Sequence, residues 1–337
     1  QLTGELLMTI VLDAMGSDNY PVPDVEGAVQ AAREWGDDVI IVGQETTINQ
    51  ELSKYDTHGL SLEVVHAPQI IEMDDEPARA ARMKTQSSMH VGMTLVREGE
   101  AEAYVSAGNT GGILAVATLH TLRRIPGVKR PALAPIIPRP SGHFIVLDIG
   151  ANADCQPEYL RQFAIMGAIY AQAVLQITTP RVALLSNGEE PGKGNMLVKE
   201  TYPLLEDSDL NFVGNIEPKE IINAPADVVV IDGFSGNIFL KTMETTAKML
   251  TDLLRDEIKA NPITSIGGLL AKPAFSRVSK KLDPFEVGGV PLLGVNGVVI
   301  IGHGRSNARA VKNAIGQARK AIQGDIVAAI RNGLTKT

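Results

Sequence analysis

The 337-residue chain has one cysteine, Cys155, which excludes an internal disulfide framework and a multi-thiolate zinc site within one chain. Aromatic residues make up only 4%, so the core must be mostly aliphatic. Positive charge is not in excess. Against 39 Asp plus Glu stand 31 Lys plus Arg, a formal net charge of −8, which argues against nucleic acid as a partner. Long apolar runs are missing too: the stretch 163–175 is broken by Gly167 and Gln172 and falls short of the ~20 residues that span a bilayer. No signal-peptide pattern is visible. A soluble, cytoplasmic protein is expected.

What is present is ordinary globular composition, 44% hydrophobic and 21% charged, with length for one large α/β domain or two smaller ones. Residues 1–7 look unlike the rest and read as an expression remnant or a start-site extension, so fold reasoning begins at Met8. Short β-branched runs predict strands at 9–12, 38–42, 62–65, 103–106, 144–148, 182–185, 228–232 and 298–301. Their near-continuous apolarity fits strands buried on both faces of a parallel sheet. Helical patterns fall at 25–35, 77–97, 112–123, 157–175, 196–206, 238–259 and 308–331. The alternation predicts a doubly wound, mostly parallel α/β sheet in a single domain over 8–334, with a helical protrusion at about 255–290.

Six strand ends run into small or polar turns: 13–18, 106–112, 148–152, 186–188, 232–237 and 302–307. In an open parallel sheet these carboxyl ends share the edge where ligands bind. Each turn alone also reads as a capped βα connection; the set of six argues for a site. Glycines let a backbone approach an anion, and a helix start adds free N–H groups. The turn Ser106-Ala107-Gly108-Asn109-Thr110-Gly111-Gly112 combines both with two polar side chains. It fits a phosphate or an oxyanion.

The loop at Asn187, Gly188 and Lys193 resembles a phosphate loop, but its spacing is one residue short and Gly194 stands where Ser or Thr would bind magnesium. A nucleotide triphosphatase is therefore disfavoured. Lys193 can reach an anion as a flexible charge, or be a solvated loop lysine. Past Asp232 a helix begins near Ser235, which puts Asn237 and Lys241 on one face of its first turns. A lysine near the positive helix end is electrostatically misplaced unless it faces an anion, or pairs with Glu244. His303 reads as an acid or base, or as a turn histidine with a structural hydrogen bond. Asp13, Asp18, Asp148 and Asp232 at different strand ends could meet at the edge and hold a metal, but helical His or Glu ligand pairs are missing, and no dinucleotide fingerprint follows the first strand. Cys155 reads more readily as a small buried hydrophobe than as a nucleophile.

Taken together, Asp13-Ala14-Met15-Gly16-Ser17-Asp18, the 106–112 turn, Asp148-Ile149-Gly150-Ala151-Asn152, 185–194 and Asp232-Gly233-Phe234-Ser235-Gly236-Asn237 resemble the bacterial phosphate acyltransferase family of phospholipid synthesis. Coverage runs from Met8 to about Ala328. Ser17 departs from the second glycine expected in many members, a change in a turn that should not alter the chemistry. The resemblance implies a homodimer with a fold similar to isocitrate and isopropylmalate dehydrogenases and to phosphotransacetylase. It implies no metal, nucleotide or other cofactor. The implied reaction is long-chain acyl-acyl-carrier protein plus inorganic phosphate giving acyl phosphate.

Phosphate is itself nucleophilic, so such a site must juxtapose two anionic reactants and stabilise an oxyanion and a leaving thiolate. The expected donors are the 106–111 turn, Asn187, Lys193 and Lys241, with Asp232 orienting Lys241 or Asn237 and His303 protonating the thiolate. Asp13, Gly16, Ser106, Asn109, Thr110, Gly111, Asn152, Asn187 and Gly188 are the expected phosphate- and substrate-binding positions. The rival readings are a short-chain phosphotransacetylase, a metal- and NAD-dependent hydroxyacid dehydrogenase, and a non-catalytic carrier-binding module.

Residues 263–282 carry Lys272, Arg277, Lys280 and Lys281 and no acid. Ile263, Ile266, Leu269 and Leu270 precede Pro273, and Phe275, Val278 and Leu282 follow it. Pro273 predicts two short amphipathic pieces that touch an anionic membrane reversibly. The same pattern fits a helical hairpin packed in a dimer interface.

Overall fold

The computed structural model describes residues 7–139, 142–223, 225–282 and 284–335, without the side chains of 222, 279–282 and 284. Apart from Leu7, the expected remnant at 1–7 lies outside the described residues, as do the side chains of Lys280, Lys281 and Leu282. Strands are β1 (Thr9–Asp13), β2 (Asp38–Gly43), β3 (Leu62–His66), β4 (Ala103–Ser106), β5 (Ala132–Leu133) and β6 (Ile136–Arg139). They continue as β7 (Gly142–Leu147), β8 (Arg181–Leu185), β9 (Asn211–Ile216), β10 (Val228–Val230), β11 (Val290–Leu293) and β12 (Val298–Ile301).

The mostly parallel α/β architecture is present, but divided over two sheets. One holds seven strands in the order β3-β2-β1-β4-β12-β11-β5, the other five in the order β6-β7-β10-β8-β9. Pairing is parallel except where β11 joins β12 and β5, and where β6 joins β7. Within β1, Ile10 and Leu12 enter one hydrophobic cluster and Val11 the other. That is the burial on both faces which the continuous apolar runs predict.

All eight expected strands form. The additional ones are β5, β6, β9 and β11. Prolines at 131, 135, 138, 140 and 291 mask three of them, because a residue without an N–H fits only edges and short antiparallel pairs. β9 closes one sheet edge and contains Gly214 at φ 94°.

The helix expected at 77–97 is two, Pro77–Met83 and Ser88–Glu98, the second capped by the Ser87 hydroxyl. The helix expected at 308–331 divides at Gly324 into Ala308–Gln323 and Ile326–Thr335. Pro273, expected to break its segment, lies inside one continuous helix, Pro262–Leu282. The residues around it are exposed, so the carbonyl left without a partner four residues earlier can be hydrated instead. That helix packs on Gly233–Lys259, and Gly268 admits the close approach of Ile258.

Candidate active site

The carboxyl ends of both sheets build the site. On the seven-stranded sheet, β1 ends at Asp13, β4 at Ser106 and β12 just before Gly302 and His303. On the five-stranded sheet, β7 ends before Asp148, β8 before Ser186 and β10 shortly before Asp232. The six turns gather on two facing edges.

Asp13 is fully buried and its carboxylate is saturated. Oδ2 accepts from Tyr104 at 3.0 Å and Ser106 at 2.8 Å, and Oδ1 accepts the Met15 N–H at 3.0 Å. Burial pushes its pKa upward against those bonds. The Ser106 hydroxyl also accepts from the Gly108 N–H at 3.0 Å. Gly16 closes this corner, since a Cβ there would stand 2.7 Å from the Gly108 nitrogen and 2.8 Å from Ser106 Oγ. The Asp13 carboxylate and the Ser106 hydroxyl are thus committed to shaping the turn.

Asn109 is also committed internally. Its Oδ1 accepts the Gly112 N–H at 3.0 Å, capping the helix Thr110–Ala115. Its Nδ2 donates to the carbonyls of Glu72, Met73 and Asp75 at 3.1–3.3 Å, tying down the 72–75 loop. Thr110 remains exposed at the helix start, with half-buried Gly111 beside it against Pro77.

On the second edge, buried Asp148 accepts from the Leu133 N–H at 2.9 Å, the Ile149 N–H at 2.8 Å and the Asn152 N–H at 2.7 Å. It bridges the chain segment where the seven-stranded sheet passes into the five-stranded one. Asn152 donates to the Pro131 carbonyl at 2.7 Å and to Asp148 at 3.0 Å. Its amide is structural. The following helix, Gly233–Lys259, is capped by Asp232, whose Oδ1 accepts the Ser235 N–H at 2.9 Å. A Cβ at Gly236 would collide with the Asp148 carbonyl oxygen, and one at Gly150 would stand 3.0 Å from the Asn237 Nδ2. Two glycines therefore seat the helix start on the 148–152 turn and hold the exposed Asn237 amide over Gly150.

Asp232 and Ser235 share a cavity of about 250 Å³ with Ser186 and Asn187. The Ser186 hydroxyl is buried without a hydrogen-bond partner among the described residues, a donor that sequence reasoning passed over. Asn187 Oδ1 accepts the Gly194 N–H at 3.0 Å, closing the loop. Lys193 is exposed and its stem lies over buried Gly188, where a Cβ would meet Lys193 Cγ at 2.7 Å.

Lys241 pairs with Glu244 at 2.8 Å, and Asp232 serves the helix cap. Across from it, His303 Nδ1 accepts the Arg305 N–H at 3.1 Å. Burial holds the His303 pKa below its usual value, helped by the charges of Arg305 and Lys241 and opposed by Glu244 and Asp18. Lys241 and Glu244 of helix Gly233–Lys259 on one edge thus lie near enough to the β12 turn of the other for their charges to act on His303. Arg305 escaped sequence reasoning because nothing local marks it.

Ser17 has a definite role. Its hydroxyl donates to Asp24 at 2.5 Å, both groups being buried. Burial pushes the Asp24 pKa up to about 7, with the Asp13 charge adding to the rise. A glycine at position 17 would leave Asp24 without that bond. Cys155 is half-buried, its thiol pushed up to about 11 by desolvation. Among the described residues, no group of three or more His, Cys, Asp or Glu is arranged to hold a metal.

The protruding helices expose Ile266 (63%), Leu269 (69%), Leu270 (79%) and Phe275 (43%), with Lys272 exposed among them. Among the described residues no helix is long and apolar enough to cross a membrane.

A family profile described as "Fatty acid synthesis protein" matches residues 8–329. A phosphate acyltransferase of Herpetosiphon aurantiacus is 48% identical, over 97% of this chain and 98% of that protein. One from Dictyoglomus turgidum is 47% identical over 98% of each. Among solved structures, a phosphotransacetylase from Streptococcus pyogenes aligns with a TM-score of 0.60 at 21% identity, covering 94% of each chain. A 4-hydroxythreonine-4-phosphate dehydrogenase from Klebsiella pneumoniae aligns at 0.50 and 14% identity, covering 95% of this chain and all (100%) of the other. These two likenesses concern the fold, which is the dehydrogenase-like architecture that the family resemblance implies.

Proposed function

This chain belongs to the fatty acid synthesis protein family, that of the phosphate acyltransferases, and we propose that it transfers a long-chain acyl group from acyl-acyl-carrier protein to inorganic phosphate. A phosphate oxygen attacks the thioester carbonyl carbon. The tetrahedral oxyanion collapses, the C–S bond breaks, and the carrier thiolate takes a proton as acyl phosphate leaves. The observation that carries this reading is the opposition of the two strand-end edges, with Lys241 on one close enough to act on His303 of the other. Two separate donor-lined walls suit two anionic reactants that must meet.

In this reading the Ser186 hydroxyl, Asn187 and Lys193 receive one anion. Asn237 and Lys241, with Thr110 and Gly111 opposite, stabilise the developing charge. His303 supplies the proton to the thiolate. Asp13, Gly16, Ser106, Asn109, Asn152, Gly188 and Asp232 hold these groups in place through the bonds and close approaches described above.

The enzyme would work as a homodimer at the cytoplasmic face of an anionic membrane, touching it reversibly through Ile266, Leu269, Leu270, Lys272 and Phe275. Exposed apolar side chains beside Lys272 and Arg277 support this reading. Each cation near such a surface contributes about 1 kcal/mol, so insertion of the apolar residues must supply the rest.

Hydroxylamine trapping tests the reaction. Long-chain acyl-acyl-carrier protein plus phosphate, without nucleotide or added metal, should give trappable acyl phosphate well above a protein-free control. Product from acetyl-CoA alone would instead make it a short-chain phosphotransacetylase.

A further inference from the structure

A cavity of about 1120 Å³, larger than the one beside Asp232, opens at the other end of the molecule. Its walls include Arg139 on β6 and Gly142 at the start of β7, whereas the candidate active site lies past the end of β7. Trp35 and Lys320 contribute from the last turns of the helices Val22–Trp35 and Ala308–Gln323. The second helix starts just after the His303 turn, and its 16 residues span about 24 Å. The two sites are separate.

The lining divides by chemistry. Trp35, Ile136, Pro138, Val174, Leu175 and Val287 form apolar wall. Lys320 and Arg277 also line the cavity, both exposed and, among the described residues, without an ion-pair partner. The one acid in the lining, Glu286, is already paired with Arg309 at 2.9 Å. His143 in the lining has its pKa lowered by burial and then by the charges of Lys320 and Arg139.

Three buried polar atoms of lining residues make no hydrogen bond among the described residues: Arg139 Nε, Gln317 Oε1 and Glu286 Oε1, the last in its ion pair with Arg309. The Arg139 side chain is 7% exposed; its terminal nitrogens bond the Ala226 carbonyl at 2.5 Å and Asp227 at 3.0 Å, and its Nε–H has no partner among the described residues. Gln317, 6% exposed, donates to the Val287 carbonyl at 3.0 Å, which fixes its amide and leaves Oε1 unpaired among the described residues. Buried donors and acceptors left unmade are costly. Here the donor, the Arg139 Nε–H, belongs to the lining of a cavity of ligand size.

We propose that this cavity binds an anionic amphiphile, an alkyl chain carrying a phosphoryl or carboxylate head. The chain would cover the wall around Trp35, and the head would meet the Arg139 Nε–H and the unpaired cations. The proposal does not depend on the acyl-transfer reaction.

Trp35 is the single tryptophan of the chain, so its emission reports on this cavity. The protein, saturated with inorganic phosphate, is titrated separately with dodecyl phosphate, dodecanoate and dodecanol below their aggregation limits. A saturable emission change is expected with at least one anion, and the tighter of the two identifies the head. Dodecanol should bind at least tenfold more weakly. Lys320→Glu should weaken anion binding at least tenfold, with phosphate acyl transfer unchanged. No saturable change with either anion overturns the proposal, as does equal binding of dodecanol or undiminished binding by Lys320→Glu. So does a Trp35 already shielded from acrylamide in a dimer, because the second copy would then be the occupant.

Discussion

Lys241 and Glu244 form a 2.8 Å ion pair one turn apart on the Gly233–Lys259 helix, and the charges of both act on His303 across the cleft. The lysine therefore sits where a cation can serve an oxyanion, held by a partner that is itself exposed. Lys241→Ala should lower kcat/KM by about 10²–10³, the range for a lost oxyanion donor. Cys155→Ser should keep most of the turnover, because a half-buried thiol pushed up to about 11 supplies almost no thiolate at neutral pH. Parallel kinetics of the two variants check this. An inactive, folded Cys155→Ser would require a thioester intermediate.

His303 yields a pH signature. A general acid must be protonated, and this imidazole titrates below the usual 6.5 because burial and two nearby cations disfavour its charge. The kcat profile should fall as pH rises through that lowered pKa. Lys241→Ala removes one repelling charge and should move the falling limb upward, whereas Glu244→Gln should move it down. A limb that stays put in both variants would take the proton transfer away from His303.

Asp24 makes stability depend on pH. Its folded pKa is about 7 against 3.8 for the free side chain, so the folded state holds a proton that the unfolded chain has lost. The contribution is fully present below about pH 4 and is lost as pH rises through 7. At ~1.4 kcal/mol per unit the swing is roughly 4 kcal/mol. Urea unfolding at pH 5 and pH 8 should differ less for Asp24→Asn than for the parent. Ser17→Gly, which removes the 2.5 Å bond, should widen the difference.

Much of the fold is legible in the sequence, for a local reason. β1, β4 and β12 are runs buried on both faces, so each announces itself without reference to its neighbours. Strands β6 and β11 contain proline and pair antiparallel, a tertiary context that overrides local preference. Division into two sheets depends on register between distant segments, which no local pattern encodes. The site follows the same rule. Glycine-rich turns mark where ligands can approach, yet they do not tell that Asp13 is consumed by Tyr104, ninety-one residues away in sequence. Nor do they tell that Asn109 is committed to a loop thirty-four to thirty-seven residues before it. Lys241 with Glu244 and Asn237 over Gly150 emerge only when the helix is seated on the 148–152 turn.

That seating gives a sharp contrast between glycines. Gly236→Ala drives a methyl into the Asp148 carbonyl oxygen, and overpacking of this kind costs about 1–3 kcal/mol or more. The variant should unfold at lower urea concentration and lose activity through a displaced Asn237. Gly192→Ala meets nothing within 4 Å and should match the parent in both assays.

For the protruding helices, Leu269→Glu/Leu270→Glu should abolish salt-sensitive sedimentation with anionic liposomes while leaving the oligomeric state unchanged. Equal sedimentation of parent and variant, or a variant that becomes monomeric when the parent never bound liposomes, would assign these side chains to a dimer interface instead.

In the proposed mechanism the two opposed strand edges join an acyl thioester to phosphate. The most direct measurement follows carrier thiol and phosphorus together, by thiol titration and ³¹P NMR of one reaction. Each thiol released should be matched by one acyl phosphate, neither should form without phosphate, and Asn237→Ala and Lys193→Ala should lose both in step. Thiol released at the same rate without phosphate, with no acyl phosphate resonance, would make the protein a thioesterase and contradict the account.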